Sequence, residues 1–405
     1  MKILQRLFLL ALLAGVSLLV IAYARGYRFD IEKKSVTSTG ILSLNSFPTA
    51  AKVYINDELK GATNTNLTLP PGRYKVEIKK DGYTSWNKEI AVKGELVVTL
   101  DALLFPLNPS LSPQTNLGII KAVPIDQTGK VIVFSQNGND EKDGIYLFDS
   151  SNKPLSFLPP LKPIILKKNI TDSQEINFNN VQVYFSPDYK QGIFEFEKNN
   201  TESLLKTSKD IKETSAYLFS LDEENKNAFE ITNSKKVLLE AWAKEKEKDD
   251  LKILETLPKQ IVKTASDSFS IISLSPDENK ILYRAKNSLV LPLAINPPLI
   301  ASNQTQEERS LKKDGLYVYD KKEDKNFSLP AENSIQWHPD SKHLIMIEDK
   351  KIVAVDYDNT NKQTVYSGPF ENYFFITTSD GKIIVLSNLN PEANKYSDLY
   401  LVGIK

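Results

Sequence analysis

Leu7 to Ala24, LFLLALLAGVSLLVIAYA, is an almost wholly apolar run without a charged residue. Beyond it the apolar positions come in short alternating stretches. In LTLPPGRYKVEIKKDGYTSW, Leu67 to Trp86, a Pro70-Pro71-Gly72 break is followed by Tyr74, Val76 and Ile78 alternating with Arg73, Lys75, Glu77 and Lys79. A period of two puts the first set on one face of a strand. Similar runs from Thr39 to about Asp101, separated by Pro, Gly and Asn turns, predict five or so strands in a small β-sandwich. Gly72 and Gly82 stand where tight turns call for positive φ. Tyr83 and Trp86 are expected to pack beneath the second turn rather than to form a binding edge.

From residue 102 to 405 a turn followed by a hydrophobic strand recurs. It reads PIDQTGKVIVFS at Pro124, FSPDYKQGIFEFE at Phe185, LSPDENKILYRA at Leu274, WHPDSKHLIMIE at Trp337 and TTSDGKIIVLSN at Thr377. Each is followed by a second strand: GIYLFDSS, AYLFSLDEE, LYVYDKKEDK, KIVAVDYDN and DLYLVGIK. With a strand leading in and, behind four of the five, a short one leading out, the unit is a four-stranded propeller blade. Five blades are readable, with six as the alternative count. The chain ends on DLYLVGIK, a middle-strand pattern, so the last blade lacks its outer strand. The segment Leu103 to Leu111 is expected to supply it, because an open edge invites aggregation.

Two insertions interrupt the repeats. Residues 199–213 are polar and read as a loop. Thr232 to Ser266 reads as helix, with Ser234 or Asn233 at its start and Pro258 opening a further turn. Leu238, Leu239 and Trp242 fall on one face of it. Leu238 and Trp242 are the candidate partner-binding residues, since an aromatic on a projecting helix is a common anchor. The plainer reading packs them against the propeller's own side.

SFPTAAKVYINDELKGATNTNLTLPPGRYKVEIKKDGYTSW resembles the PEGA domain. The Pro-Glu-Gly-Ala turn of that family reads Pro48-Thr49-Ala50-Ala51 here, so its two middle positions differ. VYIND, Gly61 with Thr63, PPGRYKVEI and the DGY step match. The resemblance implies an extracytoplasmic β module attached to other domains, without catalysis. The SPDxxK and LYVYD rhythm resembles the WD-like repeats of TolB-type β-propellers, a fold that hosts binding modules, lids and enzymes alike. The predicted fold is therefore mainly β: an N-terminal helix over 1–28, a PEGA-like sandwich over 39–101, and a TolB-like propeller over 102–405 with a helical insertion near 232–266.

Composition narrows the chemistry. The 405 residues hold 51 Lys and Arg against 51 Asp and Glu, a balance that argues against nucleic acid as the main partner. There is no cysteine, which removes disulfides, thiolate nucleophiles and thiolate metal sites. No Gly-rich phosphate loop, nucleophile elbow or HExxH occurs. The two histidines, His338 and His343, flank one turn and are assigned a structural or solvent role. Asn137 to Gly144 and Asp356 to Asn361 invite a calcium reading, but neither follows the ligand spacing of a calcium loop. Asp188, Asp277 and Asp340 recur at the same place in successive blades, as turn-formers do and single-use catalytic groups do not. No catalytic residue, cofactor or metal is expected.

Leu7 to Ala24 is long for a signal-peptide core and at the short end of a spanning helix. Lys2 and Arg6 favour an N-terminus inside the cytoplasm. Cleavage after the AYA of Ala22 to Ala24, with secretion, is the alternative. The expectation is a single-pass, extracytoplasmic, non-catalytic binding or scaffold protein of the cell envelope with a protein or glycan partner. The alternative is a propeller-based envelope hydrolase.

Overall fold

The computed structural model describes residues 2–24, 27–30, 35–139, 141–151, 161–170, 176–197, 214–300, 302–330, 334–392 and 394–404. The insertion at 199–213 lies outside these. α1 (Lys2–Ala24) contains the apolar stretch Gln5–Tyr23, which is long and apolar enough to cross a membrane and has no part buried in protein. The chain divides into two compact units. The first takes residues 1–108 with a later segment, Ile295–Gln306; the second takes Pro109–Ala294 and Glu307–Ile404.

In the first unit, β1 (Tyr27–Asp30) and β2 (Ser35–Ser38) pair antiparallel. Seven strands follow: β3 (Gly40–Phe47), β4 (Lys52–Ile55), β5 (Glu58–Ala62), β6 (Thr65–Leu69), β7 (Gly72–Lys79), β8 (Trp86–Val92) and β9 (Val97–Leu103). They form two sheets, ordered β6-β3-β9 and β5-β4-β7-β8, with β3 and β9 parallel and the other pairs antiparallel. The alternation read in the sequence is the burial pattern. Leu42 and Leu44 of β3, Val76 and Ile78 of β7, and Ile90 and Val92 of β8 point into one core. Trp86 is buried in it, and Tyr74 and Tyr83 pack at its margin. The core also takes Leu104, so this unit runs past residue 101.

The glycine expectation holds at one of its two positions. Gly82 has φ of +82°, whereas Gly72 opens β7 and is not among the positive-φ glycines. One left-handed position unannounced by a glycine is Ala50, at φ +57° in the Pro48 to Ala51 turn. It stands where the PEGA turn carries glycine. A Cβ in this conformation costs roughly 1–2 kcal/mol, so Ala50→Gly is expected to stabilise the sandwich by about 1 kcal/mol after the extra chain entropy of glycine is subtracted. Chemical denaturation of the two variants measures this; a loss of stability would contradict it.

Among the described residues, the second unit contains five four-stranded antiparallel sheets in succession. Sheet 1 is Ile119–Ile125, Lys130–Ser135, Gly144–Asp149 and Leu161–Leu166; sheet 2 is Gln182–Phe185, Gln191–Glu197, Thr214–Ser220 and Phe229–Glu230. Sheet 3 is Phe269–Leu274, Lys280–Ala285, Leu316–Asp320 and Lys325–Leu329; sheet 4 is Ile335–Trp337, His343–Glu348, Lys351–Asp356 and Gln363–Tyr366. Sheet 5 is Phe375–Thr377, Ile383–Ser387 and Asp398–Gly403, completed by β10 (Ser110–Pro113) from the start of the unit. This is the blade order of a β-propeller. The outer strand of the last blade does come from the N-terminal side, but from Ser110 onward; Leu103 belongs to β9 of the sandwich. Asp398 holds the strand's continuation, its Oδ1 accepting from Thr115 Oγ1 at 2.8 Å and Leu117 N at 2.9 Å.

Apolar clusters join the blades. One links sheet 5 to sheet 1 through Ile376, Ile384 and Val131; one links sheets 1 and 2 through Phe134 and Phe194; one links sheets 3 and 4 through Val318 and Trp337. The inserted helices take part as well. α2 (Lys235–Glu255) lies against sheet 2, and α3 (Lys259–Ser268) packs with the end of α2 against sheet 3. Ser234 stands at the start of α2 without a side-chain capping bond, and Pro258 precedes α3.

Candidate functional site

The repeated turns come first, because most of the chain's acidic candidates sit in them. In sheets 2 and 3 a serine hydroxyl donates to the turn aspartate, Ser186 to Asp188 at 2.7 Å and Ser275 to Asp277 at 2.6 Å, and Thr378 does so to Asp380 at 2.5 Å in sheet 5. The same aspartates accept backbone N–H groups two residues on, from Lys190 and Asn279. Burial would raise the Asp277 carboxyl, but the Asn279 side chain, at 2.7 Å, together with these bonds outweighs it and holds the group down to about 2. The residue after the aspartate takes positive φ in every blade: Gln127, Tyr189, Glu278, Ser341 and Gly381. A feature repeated five times in one backbone role is a turn device, as the sequence pattern implied.

The two histidines occupy this frame. His338 stands where Ser186 and Ser275 stand, its N–H bonding His343 O as theirs bond Gln191 O and Lys280 O. Its Nδ1 lies 3.1 Å from Asp340 Oδ2. His343 opens the second strand, the position of Lys130 and Lys280, and faces Asp356 across the ladder as those lysines face Asp149 and Asp320. Its Nδ1 lies 2.7 Å from Asp340 Oδ2 and its Nε2 lies 3.1 Å from Asp356 Oδ1. Both ring nitrogens therefore meet carboxylates, which suits an imidazolium. Burial opposes that charge, but the two aspartates outweigh it and push the His343 group up to about 10. Asp340 is held well below the usual carboxylate range, burial again being outweighed, chiefly by His343.

His338, Asp340 and His343 bring three possible ligand atoms within 4.8 Å of one another. The sequence assigns the histidines a structural or solvent role, and the two aspartates around His343 are the part it does not show. The blade repeat accounts for the arrangement, with a cation at the first position of the second strand in sheets 1, 3 and 4. The calcium candidates resolve in the same way. Asp143 accepts from Asn137 N at 2.7 Å and Gly138 N at 2.9 Å, and Asp356 accepts from Asn361 Nδ2 at 2.9 Å, so these carboxylates serve their own loops.

Leu238 and Trp242 do share a helix face, but that face meets the protein. Trp242 is 8% exposed and clusters with Ile193, Ala216 and Ile231 of the sheet 2 blade, with Leu238 and Leu239 beside it. A side chain spent on this contact is not presented from the outer side of α2, which corrects the expectation of a projecting anchor.

A better binding candidate is a cavity of about 250 Å³ in the second unit. Its walls come from sheets 1, 3, 4 and 5: Asp126 and Gln127, Ile272 and Arg284, Gln336, and Tyr373. Gln336 is committed to the scaffold, its Oε1 accepting from Thr377 N at 2.9 Å. Arg284 donates from Nη1 to Asp314 O at 2.9 Å. Asp126 reaches solvent within the cavity, and its carboxyl is pushed up by the surrounding protein. Its charge, after burial, also raises Tyr189 of the next blade's turn. The Tyr373 ring is exposed at the wall, on backbone of positive φ. Asp126 lies in a turn visible in the sequence; Arg284 and Tyr373 carry no sequence signal, since only closure of the blades brings them together.

Residues 39–108 match the family model described as the PEGA domain. No curated protein matches the chain. Among solved structures, a TolB-designated protein of Agrobacterium tumefaciens is 11% identical, covering 64% of this chain and 66% of its own, at a TM-score of 0.21. The β-propeller domain of the Trilobed protease from Pyrococcus furiosus is 10% identical over 90% of this chain and 93% of its own, at 0.20. The Pyrococcus horikoshii acylaminoacyl peptidase is 12% identical over 93% of this chain and 52% of its own, at 0.23. The chain thus spans just under two thirds of the first of these and about half of the last.

Proposed function

We propose that the chain is a membrane-anchored, extracytoplasmic binding protein of the cell envelope, in which α1 is the anchor and the propeller cavity takes the ligand. The observation that carries this reading is the direct succession of an unburied apolar helix, Gln5–Tyr23, and a PEGA domain at 39–108. An apolar helix of this length is stable in lipid, where every backbone group is satisfied within the helix. The cavity combines a carboxyl, an amide, a guanidinium and an aromatic ring, a set able to orient a polar group against an apolar wall. Its volume suits one sugar-sized or side-chain-sized group of a glycan or protein partner.

The proposed role is non-catalytic. Among the described lining residues Ser334 is the one aliphatic hydroxyl, and no histidine or lysine stands with it as a base. The full chain in detergent, used to capture ligand from envelope extract, tests the assignment. Asp126→Ala with Arg284→Ala is expected to reduce capture at least tenfold, a loss of about 1.4 kcal/mol or more, with the fold intact by circular dichroism. Undiminished capture by the double variant would move the site elsewhere. Turnover of a captured glycan or peptide would favour the hydrolase instead.

A further inference from the structure

Sheet 3 sends out a long excursion between Leu289–Val290 and Ser310–Leu311, two short strands that pair with each other. Its middle, Ile295–Gln306, is part of the first unit. The link is specific: the Gln304 side chain accepts from Ala91 N at 2.6 Å and donates to Ala91 O at 2.8 Å. One amide thus stands in for a strand partner on β8, the edge of its sheet. Just before it come Pro297, Pro298, Leu299 and Ile300, and the last two are 46% and 68% exposed.

The end of the sandwich to which this tip is tied is also the end that α1 enters. Ala91 is one residue from the end of β8, and the turn that follows holds Glu95, which accepts from Tyr27 Oη at 2.6 Å. Tyr27 is three residues past the last residue of α1, a reach of roughly 10 Å at most. Ile41 and Val97, cross-strand partners near the start of β3 and β9, are exposed at the same end. Apolar side chains left in water next to a membrane helix have an obvious solvent in the interfacial layer of that membrane.

We propose that Leu299 and Ile300 dip into the bilayer surface beside α1, giving the protein a second membrane contact contributed by an excursion of the propeller. The occupant of this apolar tip is lipid. The inference rests on α1 remaining in the membrane as its anchor.

The absence of cysteine makes the test direct. The full chain is reconstituted in phosphatidylcholine–phosphatidylglycerol vesicles with a polarity-sensitive fluorophore on Ile300→Cys or, for comparison, on Asp81→Cys. Asp81 lies in the turn after β7, at the opposite end of the sandwich, roughly 25 Å away along the strand. Lipids carrying a shallow spin label are expected to quench the position 300 probe at least twofold more than the position 81 probe, with a blue-shifted emission. Equal quenching on protein that floats with the vesicles overturns the lipid contact and leaves the anchor standing. Protein that fails to float overturns the anchor, and the inference with it.

Discussion

Replacing His343 by alanine is expected to cost the propeller about 3–5 kcal/mol, the range for breaking a buried ion pair and leaving its partner unpaired. The ring is almost wholly buried, and both of its nitrogens meet carboxylates, Asp340 on one side and Asp356 on the other. Without it, two aspartates that face each other across the imidazole lose their shared cation. A propeller of this size should melt roughly 10 °C lower. The pH dependence has a definite sign. Since the folded group titrates near 10, above its usual value of 6.5, its stabilisation is complete below about pH 6.5 and is lost progressively as pH rises to 10. Asp340, held low, adds stability that is present above the usual carboxylate range and is lost as pH falls below it. His343→Lys restores the residue that sheets 1 and 3 carry at this place, so it should recover most of the alanine variant's loss. It should also flatten the stability profile between pH 6.5 and 10, because a lysine stays charged in the unfolded chain across that window. Urea titrations at pH 6, 8 and 9.5 read both effects. A slope unchanged by the lysine would remove His343 as its source.

Trp242→Ala is expected to cost a similar amount, about 3–5 kcal/mol, while leaving ligand capture unchanged once the protein is folded. The indole closes the contact between α2 and sheet 2, and its removal leaves a hole lined by Ile193, Ala216 and Ile231. Since α2 leads into α3 and so to sheet 3, the loss should appear as a lowered melting temperature of the whole propeller rather than as local fraying of the helix. Differential scanning calorimetry with a capture assay at 15 °C separates the cases. Normal stability with lost capture would restore the indole to a partner-binding role.

Much of the fold was legible because its causes are local. The two-residue period of Tyr74, Val76 and Ile78 needs nothing beyond a half-buried strand, and the Asp with a left-handed residue after it is a turn written in four or five letters. The helical insertion was readable from its lack of that period. What was not legible depends on closure. Lys280 faces Asp320 and His343 faces Asp356 across hairpins of different length, with the whole excursion from 289 to 311 intervening in the first case. That spacing hides the common position of the lysine and the histidine. The side to which Trp242 turns depends on whether sheet 2 lies under α2, which the helix's own sequence does not state. The cavity draws on four sheets, and the tie between Gln304 and Ala91 is a single amide 213 residues away in the chain. Ala50 shows the reverse: a family turn was recognised by its neighbours while the residue that strains it was overlooked.

In the proposed topology α1 is a retained anchor and everything after it lies outside the cytoplasm. That topology is tested most directly by an impermeant maleimide applied to intact spheroplasts that carry the full chain with Asp81→Cys as its one cysteine. Labelling is expected before lysis, at an unshortened mass, with all of the labelled protein sedimenting in the membrane fraction. Labelling only after lysis, or labelled protein in the medium with its first 24 residues removed, would contradict it.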